Sequence, residues 1–94
     1  MIRTAATQTS RADACEKFEE LARELVEASR ADEGNHGYTI TRSTEDPHVY
    51  CFFERWESVE LMMKHLQSEH FQRIGPQLDA LMEGTGGLEI YEEI

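Results

Sequence analysis

The sequence predicts an α+β fold in which two helical segments pack on one face of a four-stranded antiparallel sheet, in the order β-α-β-β-α-β. Three observations predict it. Apolar residues recur every three or four positions from Cys15 to Ser29, two-residue alternation marks both ends of the chain, and Asp46-Pro47 is a turn signal between two β-rich runs.

Ile2 to Gln8 alternates Ile2, Thr4 and Ala6 with Arg3, Ala5 and Thr7, which predicts the first strand. Ser10 followed by Asp13 resembles a capping box, with a carboxylate near the positive end of a helix. In that helix Cys15, Phe18, Leu21, Leu25 and Val26 share one face, while the acidic residues from Glu16 to Glu27 form a solvated one. It ends near Arg30, and Glu33-Gly34-Asn35 supplies a tight connection. His36 to Arg42, rich in β-branched residues beside Tyr38, predicts the second strand. Ser43 to His48 is then a hairpin turn.

Val49 to Trp56 is the strongest strand, because Val49-Tyr50-Cys51-Phe52-Phe53 is a continuous apolar run of the kind buried on both faces. Alternation puts Tyr50, Phe52, Glu54 and Trp56 on one side and Val49, Cys51 and Phe53 on the other. The first set is assigned to the face the helices leave open. Ser58 caps a second helix through Leu61, Met62 and His65 to Leu66. Helical spacing resumes at Phe71, Ile74, Leu78, Leu81 and Met82, and Gly75-Pro76 predicts a kink or restart with Pro76 in a first turn. After Gly84, Gly86 and Gly87, the alternation from Leu88 to Glu93 predicts the last strand.

This order is the ferredoxin-like split βαβ arrangement, βαββαβ. A strand apolar on both faces, in a sheet with one open face, predicts a homodimer with the open faces together and ligand space between the sheets. At 94 residues the chain is expected to be a single domain, 1–94, that buries only about 60–65% of its unfolded surface alone. Nineteen acidic against nine basic residues give a net charge of −10, which argues against nucleic acid and anionic membrane surfaces as partners. No apolar run is long enough to span a membrane, and Met1-Ile2-Arg3-Thr4 lacks the apolar stretch of a secretory signal, so a cytoplasmic location is expected. Cys15 and Cys51 form no CxxC pair and are expected to be inert, buried thiols.

Polar chemistry is concentrated from Glu54 to Phe71. His65 is the leading base candidate, since an imidazole titrates near pH 6.5. His70 is the second. A helix turns about 100° per residue, so positions five apart diverge by roughly 140°; the two rings are not expected to converge, and no metal site is expected. Glu54 is a candidate partner for His65, or an acid/base group with a raised pKa. Tyr38 is placed to hydrogen-bond a substrate oxygen and Trp56 to stack on a substrate ring, with Phe52 on the same wall. Asn35 and His36 are candidates for the pocket mouth. Most have a plainer structural use: core packing for Tyr38 and Trp56, an ion pair across the dimer for Glu54, the helix junction for His70, a position on the surface for His65, and the polarity of a loop for Asn35 and His36. Met62, Met63 and Met82 are read as core filling.

Three segments, Asp32-Glu33-Gly34-Asn35-His36-Gly37-Tyr38, Glu54-Arg55-Trp56-Glu57-Ser58 and His65-Leu66-Gln67-Ser68-Glu69-His70-Phe71, resemble the antibiotic biosynthesis monooxygenase family in that order, its quinol monooxygenase branch most of all. The resemblance implies a dimeric α+β barrel and oxygenation of a quinol or polyphenol by O2 without flavin, haem or metal, hence no cofactor. It also implies that His65 lies in the helix beside the pocket. An electron-rich phenolate can itself donate an electron to oxygen, so such chemistry asks of the protein a dry pocket, an orientation and a base. The haem-degrading relatives are not matched, because the positions that would carry their asparagine, tryptophan and histidine are Thr7, His65 and Gly75. Two alternatives use the same residues: an isomerase of a small phosphorylated carbonyl compound, for which Arg42, Arg55 and Arg73 are the nearby cations, and a non-catalytic barrel that binds a small molecule.

Overall fold

The computed structural model describes all residues from Met1 to Ile94 and has the predicted order with one helix more. Its elements are β1 (Ile2–Thr9), α1 (Cys15–Ser29), β2 (Asn35–Arg42), β3 (Val49–Trp56), α2 (Val59–Leu66), α3 (Glu69–Asp79) and β4 (Gly87–Glu92). The strands form one antiparallel sheet in the order β2-β3-β1-β4, as the ferredoxin-like arrangement requires. Cross-strand register puts Tyr38, Glu54, Thr4 and Ile90 in one row across it. Residues in one row share a face, so this row delivers Tyr38, Glu54 and Thr4 to the same side.

The helices pack on that side. Phe18, Leu25 and Val26 of α1, Met62 of α2, and Ile74 and Leu78 of α3 bury against Tyr38, Tyr50, Phe52 and Trp56. Each large apolar side chain so removed from water contributes roughly 1.5–3 kcal/mol. The expected face assignment is therefore reversed. Tyr50, Phe52, Glu54 and Trp56 lie under the helices, while Phe53, 51% exposed, shares the open face with Cys51. An apolar run on both parities does not reveal which parity the helices cover; here the helices take the larger aromatics. The acidic side of α1 also has an exception to solvation, because Glu19 accepts hydrogen bonds from the Tyr50 hydroxyl at 2.7 Å and from Arg42 at 3.1 Å.

Two helix starts differ from expectation. Ser10 does not cap α1: its backbone bridges to Met82, Arg11 to Ala14 form a turn, and the helix begins at Cys15 with no side-chain cap. The second helical region breaks at Gln67-Ser68 rather than at Gly75-Pro76. Ser68 Oγ accepts from the Phe71 N–H at 3.2 Å and restarts the helix as α3, just as Ser58 Oγ accepts from the Leu61 N–H to start α2. Pro76 then sits inside α3. Gly75 eases this, because a proline ring disfavours helical backbone in the residue before it partly through that residue's Cβ, and glycine has none.

Candidate active site

The connection from α1 to β2 turns at Gly34, whose φ of +78° is the left-handed region glycine tolerates best. A Cβ there would come within 2.4 Å of Leu61 Cδ1, so the loop lies directly against α2. That close approach brings Asp32 under the last turn of α2, where His65 points inward and is 2% exposed. Asp32 Oδ2 is 2.7 Å from His65 Nδ1 and 2.9 Å from His70 Nε2. The histidines therefore converge, contrary to the divergence expected of one continuous helix. The break at Gln67-Ser68 separates the turn that carries His65 from the turn that carries His70, and the 140° argument no longer applies.

A carboxylate oxygen only accepts hydrogen bonds, so the neutral His65 ring donates through Nδ1–H and leaves the Nε2 lone pair free. Nε2 lies 3.3 Å from the Tyr38 hydroxyl, which donates to it. Burial holds the His65 imidazole below its ordinary pKa, against the opposing pull of the Asp32 carboxylate. Burial, and then the charge of Glu54, push the Tyr38 hydroxyl well up. Glu54 is itself raised by burial, opposed by the Trp56 indole N–H, which donates to it at 2.9 Å. The nearby Thr4 and Tyr38 hydroxyls also oppose the rise.

A cavity of about 390 Å³ opens between the sheet and helices α2 and α3. It lies within one chain, on the helix side of the sheet. Tyr38, Phe52, Glu54 and His65 line it, together with Thr4 and Gln8 of β1, Met62 of α2, Phe71 of α3, and Met82. No lysine or arginine does. The arrangement is a largely apolar chamber with one basic nitrogen, the Tyr38 and Thr4 hydroxyls and one carboxyl group at the same end, suited to taking a proton from a bound hydroxyl.

The other candidates lie outside the cavity lining. Trp56 is wholly buried and tilts against the His65 ring at a centroid distance of 4.9 Å, so it packs on the histidine where substrate stacking was expected. His70 reaches only Asp32 and, at 5.8 Å between centroids, the flank of His65. The Asn35 amide donates to the carbonyls of Gly37 and Arg55 and holds the bulge that opens β2. His36 faces solvent and sits 3.3 Å from Glu57. Glu54 partners Trp56 rather than His65. In the sequence Asp32 stands out only as the first residue of the Asp32–Tyr38 motif, and its partnership with His65 spans 33 positions. Thr4 and Gln8 were visible only as one parity of a small-residue strand. Met62 and Met82 line the cavity, whereas Met63 is half exposed.

Asp32 Oδ2, His65 Nδ1 and His70 Nε2 lie within 4.8 Å of one another, a donor set that could hold a divalent ion. The single oxygen is at hydrogen-bond distance from both rings, so each presents an N–H to it, and an ion would have to displace both protons.

The family pattern described as "Antibiotic biosynthesis monooxygenase" matches residues 1–76. Over 57 residues the chain is 33% identical to "Putative monooxygenase YcnE" of Bacillus subtilis (strain 168), a stretch covering 61% of this chain and 60% of that relative. A solved structure of a conserved protein from Methanosarcina mazei Go1 superposes with a TM-score of 0.95 at 25% identity, over 99% of this chain and 92% of its own. Another, titled as an antibiotic biosynthesis monooxygenase, gives 0.96 at 26% identity, over 100% of this chain and 99% of its own. PA3566 from Pseudomonas aeruginosa gives 0.90 at 26% identity, over 99% and 93%.

Proposed function

The chain belongs to the antibiotic biosynthesis monooxygenase family, and from that membership we propose that it oxidises a quinol or polyphenolic small molecule with O2, without a cofactor, in the cavity between the sheet and helices α2 and α3. His65 carries the proposal: its Nδ1 is fixed by Asp32 and its Nε2 is turned toward Tyr38 at the cavity wall. A nitrogen so oriented, and kept neutral by burial, is a base already in position.

The substrate hydroxyl gives its proton to His65 Nε2, and Tyr38 then hydrogen-bonds the phenolate oxygen. The phenolate passes one electron to O2. The resulting radical and superoxide join at a ring carbon to give a carbon-bound peroxide, which takes up the proton held by His65; that carbon then loses its hydrogen as a proton while the O–O bond breaks. One oxygen atom stays as the new quinone carbonyl and the other leaves as water. Phe52, Phe71 and Met62 supply apolar walls that exclude bulk water from the phenolate and the peroxide. Asp32 is a positioning residue, with His70 behind it.

The proposal takes residues 1–94 as one domain of this family, acting as a homodimer in the cytoplasm. Support for pairing comes from half-exposed Phe53 and Tyr91 on the open sheet face, where Arg3 and Arg55 both pair with Glu93. The free thiols Cys15 and Cys51 fit a reducing compartment. An isomerase of a phosphorylated compound is disfavoured by a cavity lined without any lysine or arginine. The test is to incubate metal-free protein with a panel of quinols under air and follow oxygen uptake and quinone formation. Acceleration above the spontaneous rate supports the proposal; binding without conversion, or conversion without oxygen, overturns it.

A further inference from the structure

We propose that Asp32, His65 and His70 form an inhibitory site for a divalent ion of the zinc type, which turns His65 from a base into a hydrogen-bond donor. Capture of the ion is independent of the monooxygenase reading; only the inhibition rests on it. One donor atom from each of the three residues lies within 4.8 Å of the others. Two imidazole nitrogens and a carboxylate oxygen suit zinc, with a water in the fourth position. The three residues come from the loop before β2, the last turn of α2 and the first turn of α3, so the helix break at Ser68 assembles the set. His65 Nδ1 and His70 Nε2 stand 2.7 and 2.9 Å from the same Asp32 oxygen. Tetrahedral zinc, about 2.0–2.2 Å from each ligand, spaces its donors at about 3.4 Å, so Asp32 has to withdraw by only about 0.5–0.7 Å. The His65 ring keeps its aim meanwhile, because Trp56 and Phe71 pack on it at centroid distances of 4.9 and 5.1 Å.

A second cavity, of about 340 Å³, gives an ion its own way in. Asp32, Glu33, Lys64, His65 and Gln67 are among its lining, so it reaches His65 from the side of the Asp32 loop. Lys64 there is paired with Glu33 at 2.8 Å, which leaves the Asp32 carboxylate to attract a cation. Neither Asp32 nor His70 lines the larger cavity, so the ion does not touch a molecule bound there.

The inhibition follows from where the ring protons go. Held by Asp32, His65 carries its proton on Nδ1, and Nε2 accepts. A metal ion takes the Nδ1 lone pair, so the one proton of the neutral ring moves to Nε2. His70, bound through Nε2, carries its proton on Nδ1 in the same way. No proton is gained or lost by either neutral ring. His65 Nε2–H then donates to the Tyr38 hydroxyl oxygen and has no lone pair left to take a proton from a substrate.

The test is titration of metal-free protein with Zn²⁺ by calorimetry, with the His65 tautomer read by proton–nitrogen NMR of the ring nitrogens. Wild type is expected to bind the ion with His65 Nε2 passing from unprotonated to protonated. His70→Ala and His70→Gln should weaken binding by more than the roughly 10–100-fold that loss of an outer-shell partner costs. Glutamine keeps a donor for Asp32, so a loss seen in both variants is not a loss of fold. The exposed pairs His36–Glu57 and His48–Asp46 are the competing surface sites, and a His36→Ala, His48→Ala double variant should bind as wild type does. Binding that survives in both His70 variants, that disappears in the double variant, or that leaves the His65 tautomer unchanged overturns the site. Where the wild-type protein oxidises a quinol, Zn²⁺ at the concentration that fills the site should stop oxygen uptake, and a chelator should restore it. Unaltered turnover with the ion bound and the tautomer moved refutes the inhibition, and His65 as the base with it. Absence of turnover before zinc is added removes only the monooxygenase reading and leaves the metal site standing.

Discussion

His65 Nδ1 lies 2.7 Å from Asp32 Oδ2, and this contact decides which nitrogen of the buried ring faces Tyr38 and the cavity. A histidine without it would be free to present a proton where a base is needed. With it, the ring is held as the tautomer that accepts.

Asp32→Asn tests that role. His65 must be neutral to act as a base, so activity is lost as pH falls through its folded pKa, which burial places below the ordinary 6.5. The Asp32 carboxylate is the group that pulls this value upward. Asparagine removes the pull, so the acid limb of kcat/KM should move to lower pH while the plateau falls, by less than the roughly 10²–10⁴-fold a general base supplies. A pH profile with a lowered plateau and an unmoved acid limb would show that Asp32 does not act through His65.

Glu54→Gln probes the carboxyl at the same end of the cavity. Burial raises its pKa, so the folded protein holds this proton more tightly than the unfolded chain does. Its contribution to stability is therefore full below the unfolded value near 4.3 and is lost as pH rises through the folded value. Glutamine keeps an oxygen for the Trp56 indole N–H and cannot ionise. Thermal melts should show the variant matching wild type near pH 4 and melting higher at pH 7–8. An equal difference at both ends would contradict the account.

Much of the site was legible because its residues lie on regular elements. Tyr38, Phe52 and Glu54 share one parity on two paired strands, and His65 lies on a helix that Ser58 caps as expected. Asp32 was not legible as a partner, because a loop residue meets a helix 33 positions later only through the turn at Gly34. Which face of β3 the helices cover is not legible in the sequence, because Val49 to Phe53 is apolar on both parities. His70 was set apart from His65 for want of the break at Ser68, a serine cap masked by the louder Gly75-Pro76 signal.

The Gly34 turn yields its own prediction. A Gly34→Ala chain must place a Cβ at positive φ and within 2.4 Å of Leu61 Cδ1. Left-handed backbone alone costs an L-residue about 1–2 kcal/mol, and the clash adds to it. Chemical denaturation should show a loss of at least that size, and the shifted loop should weaken the Asp32–His65 contact and lower activity. Unchanged stability would mean that the loop does not press on α2 as described.

Pairing through the open sheet face is tested at Phe53, which is half exposed on the face of the sheet opposite the cavity. If two copies meet there, Phe53→Asp buries an unpaired charge in the interface and should shift sedimentation from dimer to monomer. A wild-type protein that sediments as a monomer, or a variant that remains fully dimeric, would remove this face as the contact.

The central claim is that His65 Nε2 takes the substrate proton. Oxygen uptake with a quinol that the wild-type protein oxidises should be compared with that of His65→Ala and His65→Gln, with Trp56 quenching confirming that each variant still binds the quinol. The predicted result is a rate about 10²–10⁴-fold lower in both variants with binding retained. Turnover by folded His65→Ala at the wild-type rate would contradict it.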